Sequence, residues 1–147
     1  MKITIELDDS LTDAEVIIRT PKLSAEIEQM QQLLSQLTRP PLIFYKGNSE
    51  YFIDVGEVIF FETDGGKIYG HTKDNAYEVK LKLYELEDYL PNYFCRIAKA
   101  SIANTRKIYS LDKSFSGSMI RFYDSHKQVY VSRHYYHLLK EKLQELR

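Results

Sequence analysis

The sequence predicts a mainly β domain, α+β overall, at residues 41–147, preceded by a β-β-α extension at residues 1–40. From Leu42 onward, short strand-like runs alternate with turn signals such as Gly47-Asn48 and Asp64-Gly65-Gly66. Many short strands with frequent turns are typical of antiparallel sheets. At 147 residues, the chain is long enough for one domain with a small extension.

The extension is predicted from three short patterns. Residues 2–7 alternate apolar and polar side chains, and residues 15–19 contain three consecutive β-branched residues, so each is expected to be a strand. Thr20-Pro21 then favours a helix start, and Pro40-Pro41 ends the segment. The helix at 21–38 either packs on its own strands or pairs with a partner's helix, because its apolar stripe fits both. That stripe has 4-3-4-3 spacing and consists of Leu23, Ile27, Met30, Leu34 and Leu37.

The β domain follows in order, with two helices among its strands. Leu83, Leu86 and Leu90 predict a short helix that stops before Pro91. Ser132 is expected to cap a final helix whose apolar residues begin at Tyr135. The predicted strands are 42–46, 49–55, 58–62, 67–72, 76–80, 93–99, 102–103, 108–111, 118–123 and 128–131.

Composition excludes several classes of protein. No apolar run approaches the roughly 20 residues that span a bilayer, and the N-terminus lacks the apolar core of a signal peptide. A single cysteine, Cys95, excludes an internal disulfide and a cysteine metal cluster. A cytoplasmic protein is therefore expected. Without a nucleophile–base or metal-ligand constellation, we expect no enzyme and no cofactor.

The net charge of −1 hides an asymmetry along the chain. Residues 1–95 are acidic, whereas residues 96–133 carry a net charge of +6. A basic segment in an acidic chain is a candidate footprint for a polyanion, although a solvated strand face would give the same count. Its acids are Asp112 and Asp124, and its cations are Arg96, Lys99, Arg106, Lys107, Lys113, Arg121, Lys127 and Arg133.

Two side chains at the ends of this segment have the chemistry to read bases. Asn104 follows a predicted strand, and Arg133 stands at the predicted start of the last helix. Asn can form two hydrogen bonds with adenine, and Arg can do the same with guanine. Sequence-specific recognition of nucleic acid is therefore the function that the residues favour.

Residues 41–147 resemble the LytTR domain of bacterial transcription regulators. The resemblance is carried by motifs whose order and spacing match over about 105 residues. They are Val58-Ile-Phe-Phe-Glu62, His71-Thr72, Leu83-Tyr-Glu-Leu-Glu-Asp-Tyr-Leu-Pro91, Phe94 with Arg96-Ile97, Asn104, Ile108 and Val131-Ser-Arg133-His-Tyr135.

The resemblance implies an elongated stack of short antiparallel sheets whose loops enter successive major grooves of duplex DNA. It also implies a dimer bound to direct repeats. Bases would be faced by Gly66-Lys67, Asn104 and Arg133, while Lys99, Arg106 and Lys107 would hold phosphates. At Ala98-Lys99-Ala100 the chain departs from the family's His-Arg-Ser, so we expect reading mainly through Asn104 and Arg133.

The resemblance also bears on regulation. No receiver domain fits within residues 1–40, so control by a phosphorylated aspartate is not expected. Family members without a receiver domain are often encoded beside a small membrane protein that restrains them. The acidic extension is a candidate surface for such an inhibitor.

A different class of function remains open at this stage. The chain would then be a protein-interaction module that acts through the N-terminal amphipathic helix.

Two further predictions concern structural roles. Glu62 and Arg96 are expected to pair across strands, and His134 with His137 offers too few ligands for zinc.

Overall fold

The computed structural model describes residues 1–37, 39–114 and 116–146, and for Leu146 the backbone alone. Residues 25–146 fold into three helices and ten strands within these ranges. The helices are α1 (Ala25–Leu37), α2 (Leu83–Tyr89) and α3 (Arg133–Leu146). The strands are β1 (Phe44–Lys46), β2 (Ser49–Tyr51), β3 (Phe60–Asp64), β4 (Lys67–His71), β5 (Ala76–Val79), β6 (Phe94–Ala98), β7 (Ser101–Asn104), β8 (Ile108–Ser114), β9 (Gly117–Phe122) and β10 (Gln128–Val131).

The strands form two antiparallel sheets. The larger has the order β2-β1-β5-β4-β3-β7-β6, and the smaller has the order β10-β9-β8. The predicted fold class is confirmed for the β domain. The predicted strand at 49–55 is shortened to β2, since a 3₁₀ turn occupies Val55–Glu57.

The apolar side chains divide into two cores because adjacent residues of a strand point to opposite faces. Phe60 packs with Ile97, Ile120 and Leu139 between the two sheets and α3. Its neighbour Phe61 packs instead with residues around α2, including Phe44, Leu86 and Ile102. The central strands of the larger sheet are therefore covered on both faces, whereas the edge strand β2 is exposed.

The N-terminal extension differs from the prediction. The helix is present as α1, but it begins at Ala25 and not at the predicted Thr20-Pro21. The strands expected at 2–7 and 15–19 are not formed, since residues 1–23 contain no strand. An isolated pair of strands is marginal in water unless its apolar face is covered. Ile3, Ile5 and Leu7 are each more than 80% exposed in the single chain, so nothing in it stabilises the pairing.

No helix in the described part of the chain is long and apolar enough to cross a membrane.

Candidate nucleic-acid interface

Two backbone hydrogen bonds bring three connecting segments to one edge of the protein. The N–H of Thr63, at the end of β3, donates to the carbonyl of Ala100 at 2.9 Å, and the N–H of Ser132 donates to the carbonyl of Ile97 at 2.9 Å. These bonds join the β3–β4 turn (64–67), the β6–β7 turn (98–101) and the start of α3. We call these three segments, with residues 132–133 for α3, the loop edge.

Each segment of the loop edge carries one exposed cation predicted from the sequence. Lys67 begins β4 and is 60% exposed, with its Nζ 3.9 Å from Glu78. Lys99 lies in the β6–β7 turn, and Arg133 is the first residue of α3; both are exposed. The structure thus brings together Lys67, Lys99 and Arg133, which are far apart in sequence.

Glycine conformation shapes the first of these turns. Gly65 and Gly66 have φ of 59° and 79°, values that other residues adopt at a cost. A Cβ added to either would meet nothing within 4 Å. The backbone of this turn is therefore open to a close approach by another molecule.

Arg96 fixes the second turn from within the protein. Its Nε donates to the carbonyl of Ala98 at 2.8 Å, and another guanidinium nitrogen donates to the carbonyl of Lys99. The same guanidinium pairs with Glu87 of α2. The expected pair between Glu62 and Arg96 is wrong, because Glu62 binds His71 instead, at 2.8 Å.

Asn104 does not face outward, and the structure contradicts its expected contact with a base. The residue is 0% exposed. Its Nδ2 donates to the carbonyls of Val58 at 2.9 Å and Gly56 at 3.3 Å, and its Oδ1 accepts from the N–H of Arg106 at 3.0 Å. Asn104 is the N-cap of the 3₁₀ turn Thr105–Lys107, and its hydrogen-bonding groups are occupied inside the protein.

Arg106 and Lys107 lie at the opposite end of β7 from Lys99 and Ala100. With four residues in β7 and a rise of about 3.3 Å per residue, they are well separated from the loop edge. The guanidinium of Arg106 lies over the ring of Tyr93, 3.9 Å from its centroid. The structure therefore does not bring these two predicted phosphate contacts to the other three cations.

Two further cations near the loop edge, Lys80 and Lys113, are not among the predicted DNA contacts, although Lys113 belongs to the basic segment. Lys80 follows β5, whose end pairs with the start of β4, and its Nζ is 3.6 Å from Glu78. Lys113 is near the end of β8 and lies over Tyr136 in the first turn of α3, 5.3 Å from the ring centroid. Strand register is the signal that places them, because antiparallel pairing returns both residues to this end of the sheets.

Another cation of the basic segment connects the two sheets at the far end. Lys127 donates to the carbonyls of Thr72 at 2.9 Å and Asn75 at 2.7 Å, and its Nζ is 3.1 Å from Nδ1 of His71. Burial lowers the pKa of Lys127 from its usual value. Positive charge counted along residues 96–133 is thus spread over both ends of the protein.

Residues 48–144 match the LytTr DNA-binding domain family. The chain belongs to the LytTR DNA-binding domain family. The loop edge, with Lys67, Lys99 and Arg133, therefore lies within the DNA-binding domain that the family match covers.

Relatives of this chain are named as transcriptional regulators, and a solved structure shares its fold. A protein of Staphylococcus aureus strain NCTC 8325, named as an HTH-type transcriptional regulator, is 31% identical over 146 residues, covering 97% of this chain and 98% of the relative. One from the bovine strain RF122 is 30% identical with the same coverage. A LytTr DNA-binding domain from Bacillus cereus has the same fold, with a TM-score of 0.64 at 20% identity, over 71% of this chain and 98% of that chain.

The extents of these matches differ at the N-terminus. The family match begins at residue 48, whereas the Staphylococcus relatives match 97% of the chain. Most of residues 1–37 is therefore shared with these relatives.

In this LytTR protein, five strands separate α2 from α3, so these two helices do not form a helix-turn-helix unit.

Proposed function

We propose that this LytTR protein is a sequence-specific regulator of transcription that binds double-stranded DNA. It binds direct repeats as a dimer, through loops that enter successive major grooves, and the loop edge supplies these contacts. The observation that carries the proposal is the loop edge itself, where three exposed cations stand on turns joined by backbone hydrogen bonds. A major groove about 12 Å wide admits a helix or a two-stranded β-ribbon, and the loop edge consists of two hairpin turns and a helix start.

The three cations have different roles in this proposal. Arg133 reads a base, because its planar guanidinium can bond both acceptors of a guanine edge. Lys67 and Lys99 are point charges that hold phosphates or a single base acceptor, and holding phosphates gives affinity without sequence choice. Ala98 and Ala100 offer no side-chain donors beside Lys99, so sequence choice depends mainly on Arg133.

The test is binding to the DNA upstream of the protein's own gene, located by footprinting and then measured against random DNA of equal length. Arg133→Ala should reduce the ratio of specific to random affinity by about 10–100-fold, the value of one bidentate contact. The matched control is Lys73→Ala, which removes an exposed cation from the β4–β5 turn at the far end. Equal loss on specific and random DNA for Arg133→Ala would contradict the base-reading role.

A second function of a different class has one specific observation in its favour. Apolar residues of the N-terminal helix are exposed, including Leu33 at 62% and Leu37 at 81%, as a protein-interaction module would require. In that case the LytTR domain would be a scaffold. Mobility that does not change with genomic DNA at any salt concentration would support this alternative over DNA binding.

A small membrane-protein inhibitor belongs to the proposal as well. The support is the exposed acidic group Asp8, Asp9, Asp13 and Glu15 in the extension, because like charge keeps such a surface away from DNA and open to a basic partner. Replacing Asp8 and Asp9 with lysine in the full chain should weaken capture of the adjacent gene's membrane protein. Unchanged capture would remove the extension from that interaction.

A further inference from the structure

We propose that residues 1–37 form a self-association surface on which the same segment of a second copy packs. The segment is apolar in sequence but open in the single chain. Ile3 is 83% exposed, Ile5 84% and Leu7 96%, and none of the residues of α1 is buried. Amphipathic helices in proteins derive most of their stability from packing of the apolar face, so this helix lacks its packing partner in a single copy.

The shape of the segment points to a polypeptide as the occupant. Residues 1–20 and the apolar face of α1, with Ile27, Met30 and Leu34, surround a groove of about 1170 Å³. Small-molecule sites are usually about 300–1,000 Å³, and protein interiors leave few voids larger than a water molecule. A groove of this size and apolarity fits a helix or a pair of strands.

The exposed apolar area of the segment approaches the area that a standard interface buries. Burying one aliphatic side chain contributes about 1.5–3 kcal/mol at roughly 25 cal/mol per Å², which corresponds to about 60–120 Å² each. The side chains that are more than 60% exposed then offer on the order of 500–800 Å² per copy, against about 800 Å² per partner in a standard interface. They are Met1, Ile3, Ile5, Leu7, Val16, Ile17, Leu23, Leu33 and Leu37.

The distribution of charge leaves one part of the segment, the C-terminal half of α1, free of repulsion between two copies. Two identical surfaces in contact place like charges near each other, and such pairs are unfavourable. Residues 29–37 of α1 contain no ionisable side chain, whereas the acids of the segment lie between Glu6 and Glu28. The C-terminal half of the helix is therefore neutral where self-contact requires it.

The unpaired backbone of residues 1–20 provides a second element of the contact. Their sequence has strand character, yet they have no strand partner within the single chain. Extended segments with free N–H and C=O groups are templates for pairing with another chain. Pairing across the dimer would supply the cover that an isolated pair of strands lacks, and we expect strands to form there in the assembled protein.

The self-association surface would supply the dimer that the proposed function requires on DNA. Only this consequence rests on the proposed function. A contact between identical surfaces has two-fold symmetry, whereas direct repeats are related by a translation along the duplex. The two LytTR domains must therefore rotate relative to the paired N-terminal segments. In each copy the chain connects the N-terminal segment to the LytTR domain at Pro40-Pro41.

The first experiment measures the mass of the full chain in solution by sedimentation equilibrium. The wild-type protein should have twice the chain mass of 17.3 kDa, and Leu34→Glu should dissociate at least 100-fold more readily. Gln29→Glu is the matched control, because it places the same new charge at an exposed position of α1 that does not line the groove. Circular dichroism and urea unfolding check that the LytTR domain of each variant is folded.

The second experiment separates this inference from the proposed function. On DNA with two repeats, Leu34→Glu should lose about 100-fold in apparent affinity through loss of avidity, while its affinity for a single repeat stays unchanged. A dimer that does not bind DNA would overturn the proposed function and leave the self-association surface standing. A monomeric wild-type chain at 10–100 times the concentration used for DNA binding, or a Leu34→Glu variant that remains dimeric, would overturn the inference.

Discussion

Asn104 and Val58 are joined by a hydrogen bond of 2.9 Å from the side-chain amide of Asn104 to the carbonyl of Val58. Val58 lies just before β3, and Asn104 is the last residue of β7, which pairs with β3. Together with the bond to Gly56 and the cap on Arg106, this contact closes the end of the larger sheet opposite the loop edge. Asn104 is a structural residue of the LytTR domain.

Asn104→Ala should lower the free energy of unfolding by about 2–4 kcal/mol. The change removes an N-cap, valued at about 1 kcal/mol, and leaves the carbonyls of Val58 and Gly56 without this partner inside the protein. Urea unfolding measures the loss, and Asn48→Ala in the exposed β1–β2 turn is the matched control. A stable variant with altered base preference would instead support the contact with DNA expected from the sequence.

The case of Asn104 shows why the sequence predicted the element but misassigned the residue. Most strands of the LytTR domain, its turns and α2 are predicted, although several strand ends differ, because their signals are local: Gly65-Gly66 for the turn, Leu83 and Leu86 for α2. The amide of asparagine is equally suited to a base edge and to a backbone cap. The sequence Asn104-Thr105-Arg106 after a strand is also a capping pattern, and burial decides between the two readings.

The remaining differences have tertiary causes. Strand patterns in residues 1–20 predict pairing, but pairing requires apolar cover that a single copy lacks. The count of charge along the chain predicts a basic surface, yet Arg96 and Arg121 are paired with Glu87 and Asp112. Which cations share an edge depends on strand register over long sequence separations, and no local pattern carries that information.

Arg96→Lys should weaken DNA binding by about 3–10-fold while the protein remains folded. The guanidinium holds the carbonyls of Ala98 and Lys99 together with Glu87, and an ammonium group lacks the planar fork needed to hold all three. The β6–β7 turn would then present Lys99 less rigidly. Fluorescence anisotropy measures the affinity, and Arg121→Lys in the smaller sheet is the matched control. If both variants bind alike, Arg96 does not position the turn.

Lys99→Ala should weaken binding to all DNA sequences and reduce the slope of log affinity against log salt by about one unit, as expected when one phosphate contact is lost. Lys107→Ala tests the position of the interface, because the sequence alone predicted the same effect for it. Lys107 lies beyond the far end of β7 from Lys99, so we expect its slope to match the wild-type value. A reduced slope for Lys107→Ala would extend the interface to the far end.

Gly70→Ala should destabilise the LytTR domain by about 1–3 kcal/mol through overpacking. An added Cβ would lie 2.9 Å from Cε1 of Phe61 and 3.0 Å from Cε1 of Phe44. Both rings are fully buried, so they have little room to move. Gly56→Ala is the control, because the atom nearest to its added Cβ would be a carboxylate oxygen of Asp54, at 3.5 Å. Equal unfolding midpoints for the two variants would show that the core relaxes around the new methyl group.

The stability of the protein should fall as the pH falls below 6.5, because of His71. Burial, followed by the charge of Lys127, lowers the pKa of His71 from its usual 6.5, and Glu62 opposes that shift. Below pH 6.5 the unfolded chain therefore binds a proton that the folded protein does not. That difference decreases stability by at most about 1.4 kcal/mol per pH unit, down to the lowered pKa of the folded state.

The contacts of His71 explain this direction and provide the variants that test it. Its Nδ1 faces the Lys127 ammonium at 3.1 Å, and its Nε2 is 2.8 Å from Glu62, so a proton added at Nδ1 would point at a cation. Glu62→Gln should steepen the loss below pH 6.5, because it removes the charge that opposes the shift. Lys127→Met should reduce the loss while lowering stability at every pH, since its bonds to Thr72 and Asn75 disappear. Urea unfolding between pH 5 and 8 measures all three proteins, and parallel curves would show that this cluster does not control the pH dependence.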